Sequence, residues 1–218
     1  MKRLLRLAAA CPLFVAACIP YSVGSTARTV PKGTHEQAVT AFAVPQAASL
    51  TGRPGSVAPG ADAEVRYGVA RDADVGLRIP SWSGAIVSYK HRFDVPPEDA
   101  AADTCSTASS IFGAGLLDWG RQGALEVTLV ASAREDRPLV PYGGIHRVGV
   151  FPLSHMNSEY RAATGGFFGV RIGTRRLSIA PEVGVYHDES EPRVRGANIT
   201  VVPSVTVRGD ALAAFFPR

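Results

Sequence analysis

The chain reads as all-β: a closed antiparallel up-and-down β-barrel of the transmembrane type, with about ten strands, eight being the smaller count the pattern allows. Three observations carry this reading. Period-two alternation recurs along most of the chain, the alternating runs reach about ten residues, and Gly, Pro, Asp and Ser punctuate them. The clearest pair lies towards the C-terminus. In residues 176–186, Leu177, Ile179, Pro181, Val183 and Val185 share one face, and Arg176, Ser178, Ala180, Glu182 and Gly184 the other. Residues 198–208 repeat this, with Ile199, Val201, Val205 and Val207 against Asn198, Thr200, Ser204, Thr206 and Arg208.

Composition bounds the class. The 218 residues carry Lys+Arg 23 against Asp+Glu 19, a formal charge of +4, which suits one domain without a nucleic-acid footprint because Arg is spread along the strands. No window approaches 18 consecutive apolar residues, so any membrane crossing falls to strands. Gly 22 and Pro 16 favour turns over long helices.

Met1, Lys2, Arg3 and Arg6 make a basic start, residues 7–17 an apolar stretch, and Val15-Ala16-Ala17-Cys18 follows. This resembles the lipobox of bacterial lipoproteins. The resemblance implies cleavage before Cys18, diacylation of its thiol (palmitate among the chains), and sorting to the outer membrane, since Ile19 stands where an aspartate favours inner-membrane retention. Residues 1–17 are then the signal peptide and 18–35 a lipidated tether, aperiodic and rich in Gly, Pro, Ser and Thr. Cys11 leaves with the signal and Cys105 has no partner in the mature chain, which excludes a disulfide framework.

The barrel is expected over residues 36–210. Its first strand is 36–45, with Val39, Ala41 and Ala43 opposite Thr40, Phe42 and Val44, and 47–60 is a loop. A hairpin follows, Ala63, Val65, Tyr67 and Val69 against Glu64, Arg66 and Gly68, turning at Arg71-Asp72 into Val75, Leu77 and Ile79 against Asp74, Gly76 and Arg78. Strand 85–93 sets Val87, Tyr89 and His91 against Ser88, Lys90 and Arg92. Residues 111–119 are ambiguous between helix end and strand, and the even strand count selects strand. Leu125, Val127 and Leu129 alternate with Glu126 and Thr128, residues 139–151 form a strand with a bulge at Gly143-Gly144, and Phe168, Val170 and Ile172 oppose Gly169 and Arg171 before the turn at Gly173-Thr174. Residues 211–218 are a short tail containing Phe215 and Phe216.

The polar rows gather Glu64, Arg66, Asp74, Arg78, Lys90, Arg92, Glu126, Arg171, Arg176, Glu182 and Arg208, both signs together, with glycines making room in a narrow lumen. Alternation alone does not separate this barrel from a soluble sandwich or a lipocalin-like barrel holding an apolar ligand. Strand length, about 25 Å of height at a 40° tilt, favours the membrane reading. So do the strand-end aromatics Tyr67, Trp82, Phe93, Trp119 and Tyr186, and an even count that brings both termini to the periplasmic side. The region resembles the small outer-membrane β-barrel proteins in lipid-anchored form. That resemblance implies outer-membrane lipid as partner and an envelope-structural, surface-binding or narrow-pore role.

Catalytic candidates are few. Ser154 or Ser158 with His155 and Glu159 is the one segment holding nucleophile, base and carboxylate types, the minimum for a lipid-modifying barrel enzyme. Adjacent strand positions point to opposite faces, which argues against convergence and for a polar loop. Glu182 is readable as a luminal acid, but Arg171 and Arg176 make an ion-pair role the simpler one. His35, His91, His146, His155 and His187 lack metal-ligand spacing, and no phosphate loop occurs, so no metal, cofactor or catalysis is expected.

Overall fold

The computed structural model describes residues 20–45, 57–94, 106–134, 136–153, 160–189, 199–210 and 212. Ten strands follow in chain order: β1 His35–Pro45, β2 Val57–Gly68, β3 Ala73–Pro80, β4 Ala85–Arg92, β5 Thr107–Leu117, β6 Gln122–Ser132, β7 Leu139–Pro152, β8 Arg161–Gly173, β9 Ser178–Asp188 and β10 Ile199–Gly209. Each pairs with its chain neighbours, and β10 closes on β1. This seam runs antiparallel from Gln37 opposite Gly209 to Phe42 opposite Ser204, so the sheet has no free edge.

Polarity is inverted relative to a water-soluble core. Leu77, Val183 and Val205 are 40%, 48% and 44% exposed on the outer wall, whereas Glu182 and Arg78 keep 3% and 9% of their surface. A soluble sandwich needs the opposite. Arg147 interrupts the outward apolar rows, between Val127 and Thr164 on the neighbouring strands.

Several boundaries differ from the sequence expectation. β2 starts at Val57, inside the stretch read as a loop, because its pairing with β1 runs on to Pro45 opposite Val57. Ala58, Pro59 and Gly60 hid the alternation, and Gly60 is needed there: a Cβ would come 2.3 Å from the inward Phe42 ring. No bulge occurs at Gly143-Gly144. Register continues unbroken to both β6 and β8, and Gly144 instead lets the strands approach, since a Cβ there would meet the Leu129 carbonyl oxygen at 1.9 Å. β9 begins at Ser178, which leaves Arg176 exposed in the turn before it. Tyr186 is not an interfacial aromatic. It shares the inward parity of Glu182 and is 1% exposed, while Tyr67, Trp82, Phe93 and Trp119 stand outside.

The rim where β1 begins and β10 ends is called proximal here, and its opposite distal. The turns at 69–72 and 174–177 both lie on the proximal rim. The largest departure is the segment expected as a tether. Residues 20–32 pass through the lumen. Tyr21 Oη donates to Asp188, the last residue of β9 on the distal rim, whereas the Val30 N–H donates to Asp74 at the proximal start of β3, 2.8 Å away. Lys32 then bridges Gly68, and the chain reverses into β1. The two ends of the described chain are therefore not on one side, as strand parity alone implied. Strand parity fixes where β1 begins, but not the path of the chain before it.

Candidate functional site

The lumen is a composite of wall and inserted chain. Small residues, Ser22, Gly24, Ser25 and Ala27, let the segment lie close to the wall, and its backbone N–H and C=O groups serve as partners for buried wall side chains. Gly24 is required twice over: φ is +56°, and a Cβ would lie 2.2 Å from Thr206 Oγ1.

Carboxyl groups on the wall accept the segment's amides. Glu182 Oε1 accepts from Val23 N–H at 3.0 Å, and its Oε2 from Gly24 N–H at 2.9 Å and Tyr142 Oη at 3.0 Å. Cationic groups donate to its carbonyls. Arg78 Nη1 reaches Ser22 O at 3.1 Å, and Lys90 Nζ donates to Ser25 Oγ and to the carbonyls of Thr26 and Arg28. His146 Nε2 lies 3.1 Å from Pro20 O; a carbonyl only accepts, so Nε2 carries the hydrogen, leaving Nδ1 facing Thr128 Oγ1 at 2.8 Å. Tyr186 donates to Tyr21 O, and the two rings pack at 5.2 Å.

Behind these contacts, charges pair across the wall. Arg66 binds Asp74 at 2.6 Å and Glu64 at 2.7 Å, and Arg208 binds Glu64 at 2.9 Å and Glu36 at 2.8 Å, which links β1, β2, β3 and β10. Arg78 pairs with Glu126 across the lumen. Glycines on the inward rows make the space: a Cβ on Gly76 would lie 2.7 Å from Arg66 Nη1, and one on Gly113 would lie 2.5 Å from Glu126.

The structure thus gathers Glu64, Arg66, Asp74, Arg78, Lys90, Glu126, Glu182 and Arg208 around one internal volume. Arg92 is buried and donates to Thr107 Oγ1 at 2.8 Å, and Arg171 is buried near the proximal rim. Arg176 does not belong to the set, because the β8–β9 turn carries it outside. The lumen is also less purely charged than the polar rows imply. Phe42, Ile86, Leu117, Val148, Val150 and Val202 form one apolar cluster with Tyr21 and Tyr186, and Ile111, Val130, Tyr142 and Phe167 another with Ala27.

Sequence reasoning missed Glu36, Asp62, His146 and Asp188 as luminal groups. Parity was the available signal. Asp62 shares the even row of Glu64, and Asp188 that of Glu182. Cys18, Cys105 and the Ser154, His155, Ser158 and Glu159 group lie outside the described residues. Among the described residues no cluster of His, Cys, Asp and Glu forms a metal site.

No family model matches the chain, and neither does any curated protein. Among the solved structures similar to it in outline are two outer-membrane proteins. The outer membrane protein OprG from Pseudomonas aeruginosa is 13% identical over 85% of this chain and 97% of its own, with a TM-score of 0.34. Ail, the attachment invasion locus protein of Yersinia pestis, is 8% identical over 82% and 97%, with a TM-score of 0.27. Similarity this distant says nothing about function.

Proposed function

We propose that the protein is an outer-membrane β-barrel lipoprotein, anchored through Cys18, whose lumen is closed by its own N-terminal segment. It serves as a non-conducting, non-catalytic element of the cell envelope, structural or surface-binding. The observation that carries this is the inverted polarity: an outer wall of Val, Leu, Ile and Phe around an interior of paired charge. Outside lipid, such a wall would expose a continuous apolar surface far larger than soluble monomers tolerate. Inside, the hydrogen bonds of residues 20–30 occupy the space that an ion path or an apolar ligand would need. Strands of 8 to 14 residues match the thickness of a bilayer's apolar band.

The test is twofold. Detergent-extracted protein should migrate faster unheated than boiled, and the intact chain in planar bilayers should pass no stepwise current. A protein that dissolves without detergent would defeat the membrane reading, and large steady conductance would defeat the closed lumen.

A further inference from the structure

Of the Arg, Lys, Asp and Glu residues in the ten strands, only Arg147 on β7 stands on an outward row. It makes no hydrogen bond or ion pair with any described residue. Apolar wall adjoins it on the proximal side, where Ile145 on the same row and Phe168 on β8 are 59% and 62% exposed. On the distal side the wall turns polar. Arg147 lies in register with Thr164 on β8, and Thr164 with His187 on β9, one residue before that strand ends at the distal rim. Thr164 Oγ1 is buried without a hydrogen-bond partner. One outward position from Arg147 towards the distal rim is Gly149, where a Cβ would lie 3.1 Å from Tyr160 Oη, so the Tyr160 phenol leans over that position. At Gly166, opposite Ile145, a Cβ would meet nothing closer than the Gly144 carbonyl oxygen at 3.6 Å, which leaves the wall hollow there. An unpaired cation on a lipid-facing wall is costly unless it reaches an anion at the interface.

We propose that Arg147 anchors a binding site for the phosphate of an anionic phospholipid in the leaflet at the distal rim, with Tyr160 Oη as a second donor. The site rests on the membrane reading of the outer wall proposed above. The planar guanidinium fork matches two phosphate oxygens, and the long side chain carries it along the wall towards the headgroups. The hollow at Gly166 leaves room beside it, and the acyl chains run down over Ile145 and Phe168. A second copy of the chain suits the position less well. No outward row of the strands offers Arg147 a carboxylate, and Glu189, just beyond β9, stands two strands away and makes no ion pair with it.

The test offers the full chain, folded in detergent, an equimolar mixture of phosphatidylglycerol and phosphatidylcholine, and reads the retained lipids by native mass spectrometry. Phosphatidylglycerol should be retained over phosphatidylcholine by about fivefold or more. Arg147→Gln, checked for heat-modifiable migration, should bring that preference to about twofold or less, and Arg147→Lys, which keeps the charge without the fork, should fall between. Arg121→Gln in the distal β5–β6 turn should leave it unchanged. In urea titrations, the stability gained by Arg147→Leu should be largest in phosphatidylcholine bilayers and shrink as phosphatidylglycerol is added. No preference in the unaltered chain, a preference that survives Arg147→Gln, or a gain indifferent to phosphatidylglycerol would overturn the proposal. So would a dimer, seen by light scattering, that Arg147→Gln dissociates without changing the retained lipid. In a barrel that needs detergent and is heat-modifiable, these failures sink the lipid site alone. A chain that dissolves without detergent sinks the membrane reading and this site with it.

Discussion

Replacing Glu182 with alanine tests whether the inserted segment is held by the bonds seen here. The carboxyl group accepts three hydrogen bonds, two from backbone amides of the segment and one from Tyr142. A hydrogen bond to a charged group contributes about 1.5–3 kcal/mol, and each buried amide left without a partner costs about 1–3 kcal/mol. Against that, alanine removes a buried charge, and the vacated space admits water that recovers part of the loss. The net expectation is about 3 kcal/mol in favour of the released state, or roughly a hundredfold rise in its population at 1.4 kcal/mol per factor of ten. Two assays read this. Open events in planar bilayers should become about a hundredfold more frequent, measured against a variant lacking residues 20–30 that defines the open level. The Val30 amide, bonded to Asp74 far from Glu182, should lose hydrogen-exchange protection by a similar factor if the segment leaves as a unit. Unchanged protection at Val30 together with a silent bilayer would refute the reasoning, because Glu182 would then not be holding the segment.

Other perturbations address separate links in the argument. Gly24→Ala should release the segment by at least tenfold in the same exchange assay, since a Cβ at φ +56° strains the backbone and meets Thr206 Oγ1. Arg78→Ala should destabilise the folded barrel by about 3–5 kcal/mol in urea titration by leaving Glu126 buried and unpaired, whereas Arg78→Met combined with Glu126→Leu should cost far less. Arg147→Leu should raise stability in lipid by about 1–3 kcal/mol and leave it unchanged or lower in a non-membrane environment, a contrast that reports whether that wall faces hydrocarbon. Mass spectrometry of the mature chain should find a diacylated N-terminal Cys18, and Cys18→Ser should leave the precursor uncleaved.

What the sequence disclosed and what it hid follow from the range over which each feature is encoded. The outer wall was legible because Leu177, Ile179, Val183 and Val185 repeat at a fixed interval, and a register slip of one residue would turn them all inward. The same parity located Glu64, Arg66, Arg78 and Glu182 inside before any pairing was known. It failed at the ends of strands, where Arg176 continues the alternation on paper but sits in a turn that the strand pairing does not reach. An aromatic near a strand end suggests an interface by its type, but the position of Tyr186 on the Glu182 row turns it inward. The inserted segment left no local trace at all. Residues 20–32 take their conformation from groups on β3, β4, β6, β7 and β9, so neither periodicity nor propensity records the outcome.

The segment also explains why a narrow lumen carries both signs of charge without pairing them all to one another. Asp74, Glu182 and Asp188 on the wall face donors of the inserted chain, and Arg78 and Lys90 face its carbonyls. An extended backbone offers donors and acceptors in equal number along its length, so it can satisfy either sign at any level of the barrel, which a side-chain plug of fixed charge does not. Removing it would strand acidic and basic groups together in a space of low polarity, and water would have to enter to solvate them. The charged interior and the inserted chain are therefore one device: the wall holds the segment in place, and the segment supplies partners to the wall's charged groups.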